Sequence, residues 1–235
     1  MIFWAGRSSD DVGVVVEHYP ARPYPQRKLE TVSVPGRSGA LLTVQDAFEN
    51  YEQTYDVYLS AERLGLPRAA RAAADWLVAP RGYQRLEDSY DLDTFRLAYY
   101  AGPTDVENIM NRFGRASISF NCQPQRWLRV GEVPVQMVSG QALRNPTGFT
   151  ALPKITVRGT GAGVLTVGDV AVTIKSLNRG SLILDCDTQD AYLGAVNLNS
   201  TISAPEFPSL PAGETAISWS GGISAVEIIP RWWAL

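Results

Sequence analysis

The stretch "ISWSGGISAVEIIPRWWAL", residues 217–235, decides the fold class of the C-terminal half of the chain. Apolar and polar residues alternate on both sides of Gly221-Gly222, which predicts two strands joined by a two-residue hairpin turn. Trp219 then pairs with Ser224, and Ile217 with Val226. One face of this hairpin is expected to be buried, as in one layer of a β-sandwich. The residues on that face are Thr215, Ile217, Trp219, Val226 and Ile228.

The last five residues follow Pro230, which has no N–H for a ladder hydrogen bond and ends the strand. Trp232 and Trp233 are adjacent, so in an extended segment their side chains point to opposite sides. We therefore expect residues 231–235 to dock between two domains or against an adjacent subunit, through Trp232, Trp233 and Leu235. In the alternative, Trp232 packs beneath the sandwich and Trp233 lies half exposed at its rim.

Short strands at the spacing of a β-sandwich precede this hairpin, and no helical pattern occurs after about Asn145. The strands are "KITVRG", "GVLTV", "VAVTI" and "SLILDCD", with Gly168-Asp169 as a turn between the second and the third. The stretch "VSGQALRNPTGFTALP" is rich in Gly, Pro and small polar residues, which is typical of a domain boundary. The sequence therefore predicts a C-terminal sandwich domain at 146–230, after an N-terminal domain at 1–140.

The N-terminal domain is predicted to combine strands with one clear helix. Strand patterns occur in "VGVVVEHY", "KLETVSV", "YDVYLSA" and "ASISFNC", with Ile118 and Phe120 on one face of the last. The stretch "LPRAARAAADWLVAP" has apolar residues at helical spacing, and Pro67 suits a first turn. Those apolar residues are Ala69, Ala73, Trp76 and Leu77. A second, short helix is expected between Thr104 and Gly114, so the predicted fold is mainly β: an α+β domain and then a β-sandwich.

Composition argues against several classes of protein. The chain is 45% hydrophobic and 19% charged, with a net charge of −3, and it has no Lys/Arg cluster of the kind that binds nucleic acid or a membrane surface. It has no apolar run of about 18 residues and no signal-peptide pattern at its start. We therefore expect assembly in the cytosol, where Cys122 and Cys186 are predicted to be buried free thiols.

Candidate catalytic and metal-binding residues are few. His18 is the only histidine and stands in "VEHYP" without a partner motif, so we expect it to be exposed or structural. In "GTGAGVLTV" the glycine spacing differs from that of a dinucleotide loop and no helix follows, which favours a tight connection between strands. No catalytic residue, cofactor or metal site is predicted, although whether the carboxylates of "DCDTQDAY" bind Ca²⁺ or line a solvated strand edge stays open. Those carboxylates are Asp185, Asp187 and Asp190.

Three separated segments resemble, in order, the distal tail proteins (Dit) of long, non-contractile-tailed bacteriophages. They are the opening "FWAGRSSDDVGVVVEHYPARPYPQRKLETVSVPGRSGALL", the middle "FGRASISFNCQPQRWL" and the end "LDCDTQDAYLGAVNLNSTISAPEFPSLPAGETAISWSGGISAVEIIPRWWAL". The resemblance spans nearly the whole chain. It implies an N-terminal ring-forming (belt) domain and a galectin-like or carbohydrate-module-like C-terminal sandwich.

The resemblance also implies a structural and non-enzymatic role in the virion. Six copies are expected to form a ring, or hub, at the distal end of the tail tube, joining the tube to the host-adsorption apparatus around a channel through which DNA passes without tight binding. The implied partners are other copies of the chain, the tail tube protein, the tape-measure and tip proteins, and receptor-binding proteins; a membrane is not among them. The expected subunit interface includes Arg37, Arg22, Tyr24 and Arg27, because "ARPYPQR" and "VPGRSG" are expected to project towards a neighbour. For Arg37 the alternative is an ordinary surface arginine.

The alternative function is a carbohydrate-binding protein or glycan-directed enzyme that uses the C-terminal sandwich. Such sandwiches bind sugars through exposed aromatic and polar side chains, but they also serve as inert spacers. The aromatic residues available either for stacking on a sugar or for core packing are Trp4, Tyr24, Tyr99, Tyr100 and Trp127. A ring of identical subunits favours the hub, whereas a glycan-binding monomer favours this alternative.

Overall fold

The computed structural model describes residues 1–60, 65–103 and 106–235. They form two compact units: an N-terminal unit of Met1–Arg126 together with Leu235, and a C-terminal unit of Trp127–Ala234. The sequence predicts a first domain that ends at 140, but the division falls after Arg126. Its physical reason is that Val135–Met137 and Gln141–Asn145 pair with the long strand Gly213–Ile229 of the C-terminal unit.

The N-terminal unit is built on one curved sheet. The strands from this part of the chain are β1 (Ile2–Trp4), β2 (Arg7–Ser8), β3 (Val14–Val16), β4 (Arg27–Ser33), β5 (Ala40–Phe48), β6 (Tyr51–Leu59), β7 (Gln84–Asp88), β8 (Asp91–Tyr100) and β9 (Arg115–Leu128). Seven of them lie side by side in the order β2-β1-β7-β8-β9-β6-β3. Among the described residues the other two, β4 and β5, pair with each other alone and form a separate two-stranded sheet.

Helix α1 (Leu66–Val78) shares the core of the N-terminal unit with this sheet. Its buried side chains confirm the predicted helical face, and Ile118 and Phe120 of β9 are fully buried as expected. The buried residues of α1 are Ala69, Ala70, Ala73, Trp76 and Leu77. Helix α2 (Val106–Phe113) confirms the second helix and ends before Gly114 at a φ of 67°, while its predicted first residue, Thr104, lies outside the described residues. No helix in the described ranges is long and apolar enough to cross a membrane.

The C-terminal unit consists of short strands arranged around two long ones. Its strands are β10 (Val135–Met137), β11 (Gln141–Asn145), β12 (Lys154–Val167), β13 (Val170–Ile174), β14 (Ser181–Asp185), β15 (Asp190–Leu193), β16 (Val196–Asn197), β17 (Ile202–Ser203) and β18 (Gly213–Ile229). The tail contains β19 (Trp233–Ala234), which lies outside this ladder. The 3₁₀ turns of the chain are Ser9–Val12, Arg129–Glu132 and Asn199–Thr201. The predicted two-residue turn Gly168-Asp169 is confirmed, because Val167 pairs with Val170 across it.

The long strands β12 and β18 pair with each other along most of their length and belong to both layers of the sandwich. One end of the pair continues into β14 and β10, and the other end continues into β13 and β11. Strands that switch layers in this way form the corners of a β-sandwich. The two ends bury side chains in one common core: Ile155, Val157, Val226 and Ile228 from one, and Leu165, Val167 and Ile217 from the other.

The hairpin predicted at Gly221-Gly222 is wrong. Strand β18 continues through these glycines, and Trp219 pairs with Leu165 of β12 rather than with Ser224. The predicted buried face is nevertheless correct apart from Trp219, which is half-buried. The reason is that Ser224 has no partner on β12 and is an extra residue in the ladder. The inward-facing residues of β18 therefore have odd numbers before Ser224 and even numbers after it. A two-residue turn at Gly221-Gly222 predicts the same change, so the two interpretations give the same buried face.

The glycines of "GTGAGVLTV" lie within β12 and do not connect two strands as predicted. They allow β12 and β18 to approach each other closely. A Cβ on Gly222 would overlap the carbonyl oxygen of Thr160, and a Cβ on Gly163 would lie 2.7 Å from the carbonyl oxygen of Ser220. Backbone atoms therefore occupy the space that any side chain would need, and only glycine fits.

We expect Gly222→Ala to destabilise the C-terminal unit, because its methyl group meets backbone rather than a movable side chain. Overpacking of this kind costs about 1–3 kcal/mol or more. Gly148→Ala is the matched control, since nothing lies within 4 Å of a Cβ there. Urea unfolding of both variants compares the two sites, and equal free energies of unfolding would contradict the close approach of the strands.

Candidate assembly surface

The two-stranded sheet β4–β5 forms a hairpin, here called the arm (residues 27–48). Every residue from Gln26 to Thr43 is exposed except Val34, which is half-buried. An isolated two-stranded hairpin is marginally stable in water, and hairpins normally need a third strand or a covering helix. Within the described residues the arm therefore lacks the burial that usually stabilises such an element.

The arm carries large apolar side chains on both of its faces. Val32 and Leu41 are opposite each other on one face, with 45% and 42% of their surface exposed. Leu29 and Leu42 lie on the other face. Leu42 is opposite Thr31, and Thr31 shares a face with Leu29 because they are two positions apart on the same strand. Leu29 and Leu42 are 55% and 57% exposed. Apolar surface of this extent usually marks a contact with another protein.

The tip of the arm is the tight turn that contains Arg37. The Arg37 N–H donates a hydrogen bond of 3.1 Å to the Val34 carbonyl, and Gly36 and Gly39 have φ values of 79° and 81°. The Arg37 side chain is exposed, as a contact residue must be before assembly. Between Gln26 and Thr43 the sequence has three cations, Arg27, Lys28 and Arg37, and one anion, Glu30, so the exposed part of the arm is cationic.

The other predicted interface residues lie at or before the base of the arm. The Arg27 guanidinium lies 4.8 Å from the centre of the Phe48 ring. Arg22 donates a hydrogen bond of 2.7 Å to the Tyr90 carbonyl, so its guanidinium is already engaged within the unit. Tyr24 is exposed, with the Arg126 guanidinium 5.1 Å from its ring centre. Their predicted place in a subunit interface stays a prediction.

The connection "ARPYPQR" runs along the sheet and is held to it by two buried side chains. Gln53 of β6 donates a hydrogen bond of 2.9 Å to the Ala21 carbonyl. Arg126 of β9 donates one of 2.6 Å to the Pro23 carbonyl. These bonds fix Ala21 and Pro23 to the sheet, and the arm begins at the last residue of the segment, Arg27. The predicted contact of this segment with a neighbouring subunit stays a prediction.

A buried polar network links the strands beneath this connection. The Arg96 guanidinium forms a salt bridge of 3.1 Å with Asp88, and Tyr55 donates a hydrogen bond of 2.8 Å to the same carboxylate. Arg96 also donates to the Tyr51 hydroxyl at 3.2 Å. Burial raises the pKa of Tyr55 well above its usual value, and the negative charge of Asp88 raises it further, so the phenol stays a neutral donor. The arm is thus attached to a fixed base.

Sequence reasoning missed this network, because its members share no spacing or motif. The one signal of the network in the sequence is Arg96, a charged residue within the strand pattern "DTFRLAYY". Such a residue is buried when a partner of opposite charge faces it, and the sequence does not identify that partner. That partner, Asp88, comes from the neighbouring strand β7.

The remaining candidate residues are His18 and the two cysteines. His18 is exposed and lies 3.3 Å from the Asp56 carboxylate. The described residues contain no group of three or more His, Cys, Asp or Glu that could hold a metal ion. Cys122 and Cys186 are buried free thiols, as predicted, and burial raises the pKa of each to about 12, which keeps both protonated and unreactive.

The C-terminal tail is fixed within the C-terminal unit by its backbone and both indoles. Trp232 is buried in the core, and its carbonyl accepts a hydrogen bond of 2.8 Å from the Leu128 N–H. Trp233 stacks on Phe149 with ring centres 4.4 Å apart, and its Nε1 donates to the Thr150 carbonyl at 3.0 Å. Trp233 and Leu235 are half-buried. Docking of the tail between domains or against another subunit stays a prediction.

The tail is also anchored by a bidentate ion pair between Arg231 and Asp185. The two guanidinium nitrogens donate to the two carboxylate oxygens at 2.6 and 2.8 Å. Burial by itself raises the pKa of Asp185, but the hydrogen bonds and charge of Arg231 outweigh it and lower the pKa below its ordinary value. The carboxylate is therefore paired with arginine rather than available to Ca²⁺.

We expect Asp185→Asn to lower the stability of the C-terminal unit by ~2 kcal/mol at pH 7, because it removes a charged hydrogen-bonded pair. Since folding lowers the pKa of Asp185, this stabilisation is present above the unfolded-state pKa of about 4 and is lost as the pH falls through the folded-state pKa. The difference between variant and wild type should shrink below about pH 4. Thermal unfolding from pH 3 to 7 measures it, with Asp169→Asn, at an exposed carboxylate outside this ion pair, as control. A difference that does not change with pH would contradict the assignment.

Comparison with solved structures gives a match to the whole chain. The crystal structure of SPP1 Dit, described as a paradigm of the hub adsorption apparatus in phages that infect Gram-positive hosts, superposes with a TM-score of 0.75. It is 13% identical in sequence, and the match covers 100% of this chain and 98% of that one. No family model and no curated protein matches. The chain therefore has the fold of Dit, which confirms the mainly β fold that the resemblance implied.

Proposed function

We propose that this chain, which has the Dit fold over its whole length, is a structural subunit of a phage tail tip. Its N-terminal units form a hexameric ring at the distal end of the tail tube. The ring connects the tube with the adsorption apparatus and surrounds the path of the DNA. The proposed partners are other copies of the chain, the tail tube protein, the tape-measure and tip proteins, and receptor-binding proteins. Assembly takes place in the cytoplasm of the bacterial host, and the role involves no catalysis.

The observation that carries this proposal is the arm. It exposes leucine and valine on both faces while its base is fixed to a rigid sheet. An arm that contacts a different surface on the next copy makes a heterologous interface, and repeated heterologous contacts close into a ring when the rotation permits. The side chains that gain most from such a contact are Leu29, Val32, Leu41 and Leu42, since full burial of each contributes about 1.5–3 kcal/mol.

The charge of the chain suits a channel through which DNA passes. A channel lined with many Lys and Arg would hold the phosphate backbone and slow its passage. This chain has a net charge of −3 and its sequence has no Lys/Arg stripe, so we expect the channel not to retain the DNA.

Carbohydrate binding by the C-terminal sandwich is the weaker alternative. Its expected feature is an exposed tryptophan on a concave face. Residues 127–234 are all described, and the four tryptophans among them are buried or half-buried: Trp127, Trp219, Trp232 and Trp233. We therefore propose the hub rather than the lectin.

We expect the double variant Leu29→Ser and Leu42→Ser to form fewer or weaker rings than the wild type. Loss of two apolar contacts at every interface should raise the dissociation constant by about tenfold or more. Leu92→Ser is the matched control, because Leu92 of β8 is 67% exposed but lies outside the arm. Light scattering after size exclusion measures the mass of each protein. A wild type that stays monomeric at high concentration argues against the ring, and rings that survive the double substitution argue against the arm.

We also expect the assembled protein not to bind double-stranded DNA tightly. Without a basic stripe, binding at physiological salt should be no stronger than non-specific association, with a dissociation constant above about 1 μM. Filter binding with a mixed-sequence duplex measures this, and a submicromolar constant would overturn the proposed character of the channel.

A further inference from the structure

The C-terminal tail binds the C-terminal unit in the way that a peptide binds its receptor. We call the place where it binds the tail site; its residues are Leu128, Gly131, Phe149, Thr150 and Asp185. The tail backbone forms two hydrogen bonds there: the Arg231 N–H donates to the Gly131 carbonyl at 2.8 Å, and the Leu128 N–H donates to the Trp232 carbonyl at 2.8 Å. When an extended peptide binds a protein, main-chain bonds of this kind provide affinity and side-chain contacts provide specificity.

Three side-chain contacts add specificity to the tail site. The two carboxylate oxygens of Asp185 accept hydrogen bonds from the Arg231 guanidinium at 2.6 and 2.8 Å. The Trp233 ring stacks on Phe149, and its Nε1 donates to the Thr150 carbonyl at 3.0 Å. The tail supplies one partner of each contact, and the tail site supplies the other. An identical tail from a second copy of the chain therefore makes the same contacts.

Gly131 leaves space for the backbone of the tail. A Cβ at this position would lie 2.4 Å from the backbone nitrogen of Trp232. That distance is much shorter than a van der Waals contact, so only glycine lets the two backbones approach. The tail site is thus shaped for an extended chain at this position and is not a general apolar surface.

The tail is connected to β18 by a short hinge, Pro230 and Arg231. Arg231 has a φ of 58°, the left-handed conformation that non-glycine residues seldom adopt, because its Cβ then lies too close to a carbonyl oxygen. Pro230 has a fixed φ of its own, which restricts the hinge further. The tail therefore reaches the tail site of its own copy through a strained conformation. A short hinge under strain favours domain swapping, because it can extend when the segment binds another copy.

We propose that the tail is exchanged between copies of the chain, so that the tail of one copy occupies the tail site of another. The exchange keeps the hydrogen bonds, the ion pair and the ring stacking, because the two chains are identical. It removes the need for the left-handed turn at Arg231, and it links two copies without any further surface. This inference rests on the proposed function in one respect, since the assembly holds copies close enough to exchange their tails.

The exchange takes place while the copies fold. Trp232 is only 4% exposed and packs in the core of the C-terminal unit, so a folded copy holds its tail firmly. Release of a buried tryptophan exposes a large apolar surface to water, which is unfavourable. Copies that fold close to each other have free tails and open tail sites at the same time. A test of the exchange must therefore unfold and refold the copies together.

The test uses two full-length variants that each break the ion pair from one side. Asp185→Asn removes the anion of the tail site, and Arg231→Gln removes the cation of the tail. Each variant alone should melt about 4–8 °C below the wild type. After unfolding in urea and refolding as a mixture, an intact tail meets an intact tail site in each mixed pair of copies. The mixture should therefore show a transition at a higher temperature than either variant alone.

The matched control replaces Arg231→Gln in the mixture by a chain that carries both substitutions and offers no intact tail site. This control mixture should show no gain in melting temperature. If the first mixture melts as the sum of its components, each tail stays in its own copy and the proposal is wrong. Light scattering of the wild type tests the proposed ring separately. A ring without rescue contradicts only the exchange, and rescue without a ring contradicts only the ring.

The hinge gives a second test in chains whose ion pair is intact. Two glycines inserted after Pro230 relax the hinge and leave the residues of the tail and of the tail site unchanged. Refolded at high concentration, chains with this insertion should form several-fold fewer exchanged copies than chains without it. Both proteins carry Leu29→Ser and Leu42→Ser, so that association through the arm does not contribute. Size exclusion after dilution measures the associated fraction, and an equal fraction in the two proteins would overturn the proposal.

Discussion

The C-terminal unit depends on the close approach of two backbones, where β12 and β18 meet at their glycines. Without side chains between them, the strands can bend together and carry the hydrogen-bond ladder from one layer of the sandwich to the other. The short strands on each side then extend the two layers, and the core between them is filled from both ends of the same pair. The ion pair of Arg231 with Asp185 and the burial of Trp232 fix the tail to this framework.

The N-terminal unit combines two elements of opposite character. Its sheet contains a fully buried network of Arg96, Asp88 and Tyr55, whose hydrogen bonds link β7 with its neighbour β8 and with β6, which lies three strands away in the sheet. The arm, in contrast, exposes every residue from Arg27 to Thr43 except the half-buried Val34. The hydrogen bonds of Gln53 and Arg126 fix the chain where the arm leaves the sheet. The exposed leucines of the arm would lose unfavourable contact with water on binding another protein surface. This combination supports assembly as the role of the unit more directly than any single residue does.

Elements governed by local periodicity could be predicted from the sequence, whereas features set by distant partners could not. The alanine spacing of α1 and the alternation of β18 identified both buried faces. Ser224 could not be recognised as a bulge, because an extra residue and a two-residue turn shift the alternation equally. The sequence alone predicts a domain boundary that is too late, because β10 and β11 are short and are positioned by their pairing with β18. Nothing in the sequence distinguishes Arg96 and Asp88 from other charged residues, because only the pairing of β7 with β8 brings them together. The exposure of the arm could not be predicted either, because it depends on whether another part of the chain packs against it.

The exposed apolar side chains of the arm carry a risk of aggregation during synthesis of the protein. In a free subunit the arm exposes apolar side chains and the outer edges of its strands, which are the usual starting point for edge-to-edge aggregation. Lys28 and Glu30, both exposed on β4, place strongly hydrated charged side chains along this edge, and charged residues on an edge strand are a common protection against aggregation. If the arm is the contact proposed above, the same segment must resist random self-association and also bind its partner, so its composition balances solubility against affinity.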